Sequence, residues 1–168
     1  MKTVGCVLLL CASGWFGLGA VWGLKARTDQ LRAFLGALEE MERELSCRLS
    51  PMPELLERLA GTPGQVGAFF ALCAGELDYL GERSFAQLWD KALGAADLSL
   101  DGEDLRPLLE LGNSLGRYDC ASQCAAVGQA RTRLEARLEE AEERRERLSR
   151  VYGALSLAAG TFLIILLV

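Results

Sequence analysis

Cysteine is the only side chain in this sequence whose spacing suggests bond chemistry. Cys120 and Cys124 are four residues apart, which on a helix puts two thiols on one face, half of a metal site. The other half is missing. Histidine is absent from all 168 residues, and Cys47 and Cys73 complete neither a zinc ribbon nor a CxxC redox pair. Cys6 and Cys11 fall in an apolar run and read as small packing residues. Free thiols on helices fit a reducing compartment. Without histidine there is no His general base, no His triad and no His-ligated metal. The carboxylate pairs Glu39–Glu40 and Glu142–Glu143 are sequence neighbours, which point apart on a helix and form solvated surface. No glycine-rich phosphate loop is present, so the chain is not itself an ATPase. These residues imply a protein that is not an enzyme, with no cofactor and no metal, in which Cys120 and Cys124 are small buried residues.

Two uncharged apolar runs, Val4–Leu24 and Val151–Val168, bracket the chain. A hydrocarbon core ~30 Å thick takes about 20 apolar helical residues to cross. The first run is long enough and the second only just. The expected organisation is an N-terminal transmembrane helix at 1–24, a soluble helical domain at 25–150 and a C-terminal transmembrane helix at 151–168, all in contact with or anchored to the lipid bilayer. All 23 acidic residues and 17 of the 18 Lys and Arg lie in the middle segment. Its mildly acidic balance gives no support to nucleic-acid binding, and its size suits one core. Lys2 before an apolar stretch also fits a signal peptide. The run is long for one, however, and Leu10 before Cys11 makes a poor lipobox, which favours an uncleaved anchor. Lys25, Arg27 and Arg32 follow the first run, and Arg144, Arg145, Arg147 and Arg150 precede the second. The positive-inside rule then places 25–150 in the cytoplasm at the cell membrane. Gly19 with Gly23 makes a GxxxG pair, and Ser13 with Gly17 and Ser156 with Gly160 make small-xxx-small pairs. They suit packing of the spans on each other or on a partner, or are the ordinary glycine content of membrane helices.

Every element in the middle reads as helix, so the class is all-α, a bundle of about six helices. Leu31, Phe34, Leu35, Leu38, Met41, Leu45 and Leu49 recur at three-four spacing, one face of a helix that continues from the first apolar run until Ser50-Pro51-Met52-Pro53. A short helix over 53–60 closes at Gly61. Thr62-Pro63-Gly64-Gln65 reads as the capped start of the next, which runs to about Leu80. Ser84 with Gln87 is a capping box for a helix through Trp89 to about Ala96. Asp101 with Asp104 resembles a cap for a helix carrying Leu105, Leu108, Leu109 and Leu115. The last helix starts near Asp119 and meets no breaker, about 50 residues or ~75 Å. Leu134, Leu138, Ala141, Leu148, Tyr152 and Leu155 form its seam, interrupted by Arg145, and Glu140–Arg144, Glu143–Arg147 and Glu146–Arg150 are favourable i,i+4 pairs. The first and last helices are expected to be long and antiparallel, with the short helices capping their far end.

The most distinctive stretch is Leu111-Gly112-Asn113-Ser114-Leu115-Gly116-Arg117-Tyr118-Asp119-Cys120-Ala121-Ser122-Gln123. Gly116 ends one helix and Asp119 caps the next. Arg117 and Gln123 then stand at a corner that is either a purely structural turn or a surface for a partner.

That stretch resembles the Leu-Gly-x-x-Leu-Gly-Arg-x-Asp-x-x-x-Gln segment of the stage III sporulation protein AB family. The similarity extends to Trp15 within the first apolar run, the Leu-Arg-x-x-Leu entry at 31–35, the Leu-Trp-Asp-Lys-Ala-Leu run at 88–93 and the apolar run that ends the chain. Cys120 and Cys124 lie outside the family pattern. The resemblance implies a scaffold in a secretion-like complex between the mother cell and the engulfed forespore, beside a cytosolic secretion-type ATPase that it would dock at the mother-cell membrane. It also implies a helical domain similar to the cytoplasmic domains of platform proteins in type II secretion and type IV pili. Gly116, Arg117, Asp119 and Gln123 carry over as the candidate corner. The alternative is an exported α-helical enzyme or extracytoplasmic structural protein with a cleaved N-terminus and disulfide-bonded cysteines, for which the sequence offers no catalytic constellation.

Overall fold

The computed structural model describes the backbone of residues 2–47, 51–79, 81–115 and 120–167, and side chains over 23–46, 51–78, 81–115 and 120–151. Its order is α1 (Lys2–Cys47), α2 (Met52–Ala60), α3 (Gln65–Gly75), a single 3-10 turn (Leu77–Tyr79), α4 (Phe85–Ala95), α5 (Gly102–Ser114) and α6 (Cys120–Leu167). At 1.5 Å per residue, the 46 residues of α1 and the 48 of α6 give rods of roughly 70 Å.

The all-α class and the six helices stand, but the expected flanking transmembrane helices do not. Among the described residues no helix is long and apolar enough to cross a membrane. The two apolar runs are not separate elements. They are the outer stretches of α1 and α6, and the described parts of both helices carry charge on nearly every turn. The side chains of residues 1–22 and 152–168 lie outside the described residues.

The antiparallel pairing of the long helices is direct. Arg32 donates to Glu142 at 2.6 Å, Arg131 donates to Glu42 at 2.9 Å, and the Cys120 thiol donates to the Leu45 carbonyl at 3.0 Å. Positions climbing α1 therefore meet positions descending α6. Leu31, Phe34, Leu38, Met41 and Leu45 are buried along this line, opposed by Val127, Ala130, Leu134 and Ala141 on α6. Leu35, expected on the same stripe, is only partly buried, and Leu49 lies outside the described residues. The seam on α6 thus begins earlier than the leucine pattern suggests, because Val127 and Ala130 are small enough for the backbones to approach.

The short helices lie along the side of this pair rather than at its far end. The stripe on α1 is too wide for α6 alone to cover, and its remaining flank takes an aromatic cluster. Phe34 meets Phe69 and Phe70 of α3 at 5.6 and 6.2 Å between ring centroids, and Phe69 meets Trp89 of α4 edge-on at 4.8 Å. Tilted and edge contacts of this kind match positive ring edges to negative faces.

Two of the helix starts form as their residues dictate. In α4 the Gln87 amide donates to the Ser84 hydroxyl while the Ser84 amide donates to the Gln87 side chain. In α5 Asp104 and Asp101 exchange the same two bonds. The start of α3 differs. Thr62 does not cap it; Gly64 occupies the N-cap at φ 81° with no side-chain bond. The turn is instead shaped by Gly67, where a Cβ would stand 1.8 Å from the Thr62 carbonyl oxygen. α3 also stops at Gly75, five residues short of Leu80. The chain tightens there into the 3-10 turn, and Glu76 accepts from Lys91 of α4 at 2.6 Å. On α5, Leu108 and Leu111 are buried with Leu115 at the C-cap, whereas Leu109 is 37% exposed.

Gly112 is a second close approach. The Trp89 indole N–H donates to the Leu108 carbonyl at 2.9 Å, which lays the ring on α5 so that a Cβ at Gly112 would fall 2.3 Å from Trp89 Cδ1. Gly112→Ala is therefore expected to destabilise the chain by about 1–3 kcal/mol, the usual cost of overpacking a filled core. Urea unfolding followed by circular dichroism measures this, and an unchanged midpoint would show that the indole does not seat on α5.

Candidate functional site

The corner read from the sequence is described only in part. Gly116, Arg117 and Asp119 lie outside the described residues, while Gln123 is half-buried on the first turn of α6. Of the positions assigned to packing between membrane spans, Gly19, Ser156 and Gly160 lie outside the described side chains. Gly23 is exposed, and a Cβ there would meet nothing within 4 Å.

Cys120 and Cys124 do share a face. The Cys120 thiol donates to the Leu45 carbonyl near the end of α1, and Cys124 shares a 3.5 Å contact with the Ser46 hydroxyl. Both are half-buried rather than fully buried, because they meet the end of α1 and not its middle. Among the described residues no group of three or more Cys, Asp or Glu side chains could hold a metal ion. Cys73 is the deeply buried thiol, and burial pushes its pKa up to about 12, which leaves it protonated and unreactive.

The concentrated electrostatics lie elsewhere, at a place the sequence does not mark. Asp104, in the first turn of α5, is fully buried. One of its oxygens accepts from Arg27 Nε at 2.6 Å, and the other accepts from Arg27 Nη2 at 2.8 Å and from Arg137 Nε at 3.1 Å. Arg27 comes from α1 and Arg137 from α6, so a single carboxylate ties three helices. Asp101 adds a rim charge, 2.9 Å from Arg27 and 3.5 Å from Arg137. Glu140 holds the outer nitrogen of Arg137 at 2.6 Å. Glu140 thus turns to Arg137 and not to Arg144, while the expected Glu146–Arg150 pair does form. Thr28, beside Arg27, is also buried and donates to the Lys25 carbonyl.

Arg27, Asp104 and Arg137 are each held in the charged form. Burial alone pushes the Asp104 carboxyl up, but the bonds from Arg27, the Asp101 amide and Arg137, with the Arg27 charge, outweigh it and hold it below the usual carboxylate range. The Asp104 hydrogen bond raises Arg27 against the opposing effect of burial. For Arg137 burial acts downward, and Asp104, Glu140 and Asp101 together reverse it. The arrangement contains no nucleophile or base aimed at open space. Its chemistry is that of a structural tie.

Two of the segments carrying the family resemblance meet in space. Trp89, in the run at 88–93, rests on Gly112, the second residue of the 111–123 stretch.

Comparison with known proteins agrees with the motifs. The family model described as stage III sporulation protein AB matches residues 2–168. A relative from Bacillus subtilis (strain 168), named stage III sporulation protein AB, is 28% identical over 170 residues, covering 99% of both chains. A solved structure titled stage III sporulation protein AB superimposes with a TM-score of 0.66 at 28% identity, over 73% of this chain and 98% of that one.

Removing the Asp104 carboxylate leaves two arginines without their acceptor. Asp104→Ala is expected to cost about 3–5 kcal/mol, the range for breaking a buried pair on one side. The pH dependence has a definite sign. Because the folded-state pKa is depressed, the stabilisation by Asp104 is complete above the unfolded value of about 3.9 and is lost as pH falls through the lower folded value. Urea midpoints of the native chain and Asp104→Asn should differ at neutral pH and converge in strong acid. A difference that persists unchanged into strong acid would contradict an ionised Asp104.

Proposed function

The chain belongs to the stage III sporulation protein AB family, and from that premise we propose that it is a non-enzymatic platform of a sporulation secretion-like complex. In this reading it sits at the mother-cell membrane around the forespore and docks a cytosolic secretion-type ATPase beside the other components of that complex. The helical body, 25–150, faces the cytoplasm. The match along the whole chain is the observation that carries the reading.

One structural feature supports it. The body is built as a brace, with two antiparallel rods tied by ion pairs and flanked by a rigid aromatic cluster. Such a body passes displacement along its length, since close-packed interiors deform little. The proposed partner surface is the stretch Gly116, Arg117, Asp119 and Gln123, which lies between α5 and α6 in the sequence and of which Gln123 is described.

Arg117→Glu and Asp119→Arg are expected to weaken binding of the cognate secretion-type ATPase by roughly tenfold or more, about 1.4 kcal/mol, as for loss of a charge pair at an interface. Their circular dichroism should stay native. Binding measured by surface plasmon resonance with the full chain immobilised decides this. Native affinity in both folded variants would remove the corner from the interface, and unfolded variants would make it a structural turn. A fluorescent protein fused after residue 150 should be bright in bacterial cells, and alkaline phosphatase fused there should be inactive. The reverse result would place the body beyond reach of a cytosolic ATPase.

A further inference from the structure

The outward side of α3 differs from that of the other short helices. About a quarter of the chain is charged, yet residues 59–75, which contain the whole of α3, carry no charge. A helix that is apolar all round is normally buried on every side. Only one side of α3 is. Val66, Phe69, Phe70 and Cys73 enter the core, while Ala68, Ala71 and Leu72 face water, Leu72 with 41% of its surface exposed. Gln65 is the one polar side chain exposed on this helix. By contrast α2, α4 and α5 turn charges outward, Glu57, Asp90 and Arg106 among them. A continuous exposed apolar face marks an interaction surface, and its alanines let a second helix approach closely.

The charge beside this face is one-sided. α2 packs along α3, and its exposed Glu54 and Glu57 make no ion pair among the described residues. Asp78 and Glu82, beyond the C-terminal end of α3, are exposed and without an ion pair in the same way. The neighbouring cations are drawn elsewhere. Arg58 reaches the buried Glu44 of α1 at 2.5 Å, and Lys91 and Arg83 both turn to Glu76, at 2.6 and 3.9 Å.

That acidic excess selects the occupant. A second copy docking α3 on α3 would bring two acidic rims together, and like charges across an interface are costly. An anionic lipid surface would be repelled for the same reason. A helix whose apolar stripe is flanked by Lys or Arg satisfies both the face and its rim. We propose that the outer face of α3, rimmed by the carboxylates of α2 and of the segment after α3, docks a basic amphipathic helix of a partner protein. This docking face stands independently of the ATPase-docking function proposed above, which uses the corner between α5 and α6.

Photo-crosslinking from the face identifies what covers it. The full chain with p-benzoylphenylalanine in place of Leu72 is expressed in its sporulating host and illuminated, and the crosslinked peptides are sequenced by mass spectrometry. The expected product is a partner segment with apolar residues at three-four spacing flanked by Lys or Arg. Its yield should stand well above that from the same label in place of Glu39, exposed on α1. Combining Glu54→Lys with Glu57→Lys should cut the yield about tenfold while circular dichroism stays native, since both positions are exposed. Crosslinks to a second copy, to lipid, or to an acidic or uncharged segment overturn the docking face. So does a yield no higher than that of the Glu39 control, or an unchanged yield in the folded double variant. If the double variant does not fold, the sequence crosslinked to the otherwise native chain decides alone. If the label at 72 disturbs the fold, the same label in place of Ala71 is read in the same way.

Discussion

Five large side chains on one face of α1, Leu31, Phe34, Leu38, Met41 and Leu45, must leave water together, and the rest of the bundle is arranged around that demand. Each such side chain contributes roughly 1.5–3 kcal/mol when fully buried. No single helix covers a stripe of that width. The α6 helix takes one flank with small residues that allow close approach, and α3 and α4 take the other with rings. The order of the short helices follows: α2 and α3 fold back on α1, α4 carries Trp89 into the cluster, and α5 closes the gap between α4 and α6.

Closing that gap puts two kinds of contact on α5. On one side the Trp89 ring requires Gly112, since no Cβ fits beneath it. On another, the first turn of α5 delivers Asp104 to the arginines of α1 and α6. The carboxylate serves twice, because it also completes the capping box that starts its own helix. Local and tertiary requirements coincide at one residue, which ties the start of α5 to both long helices. Arg27, whose charge in the sequence suggests the membrane side of the body, is largely consumed by this centre and lies buried.

The chain belongs to the stage III sporulation protein AB family, and the platform role proposed for it would be mechanical rather than chemical. The described residues hold ion pairs, caps and packed rings, and Cys73 is kept protonated by burial. A body of two long rods and a braced side is suited to carrying a partner and resisting displacement. The candidate corner for a partner was legible in the sequence only as a stretch between two helices, and its Gly116, Arg117 and Asp119 lie outside the described residues.

The sequence by itself determined the helical class, the two long end helices, the separation of the first long helix from α2 ahead of Met52, and the capped starts of α4 and α5. Each of these rests on hydrogen bonds or steric limits within about four residues, which a local pattern records. The tertiary structure alone decided the rest. Thr62 reads as a cap, but Gly67 needs the space against its carbonyl, and that approach is invisible in the pattern. The short helices read as an end cap, but the width of the α1 stripe draws them alongside. The expected transmembrane helices rested on hydropathy, whereas no described helix is long and apolar enough to cross a membrane. Arg27 and Asp104 are 77 residues apart in the chain. Nothing in either neighbourhood announces the other, because charge pairing across a fold follows from where packing places the backbone and not from sequence spacing.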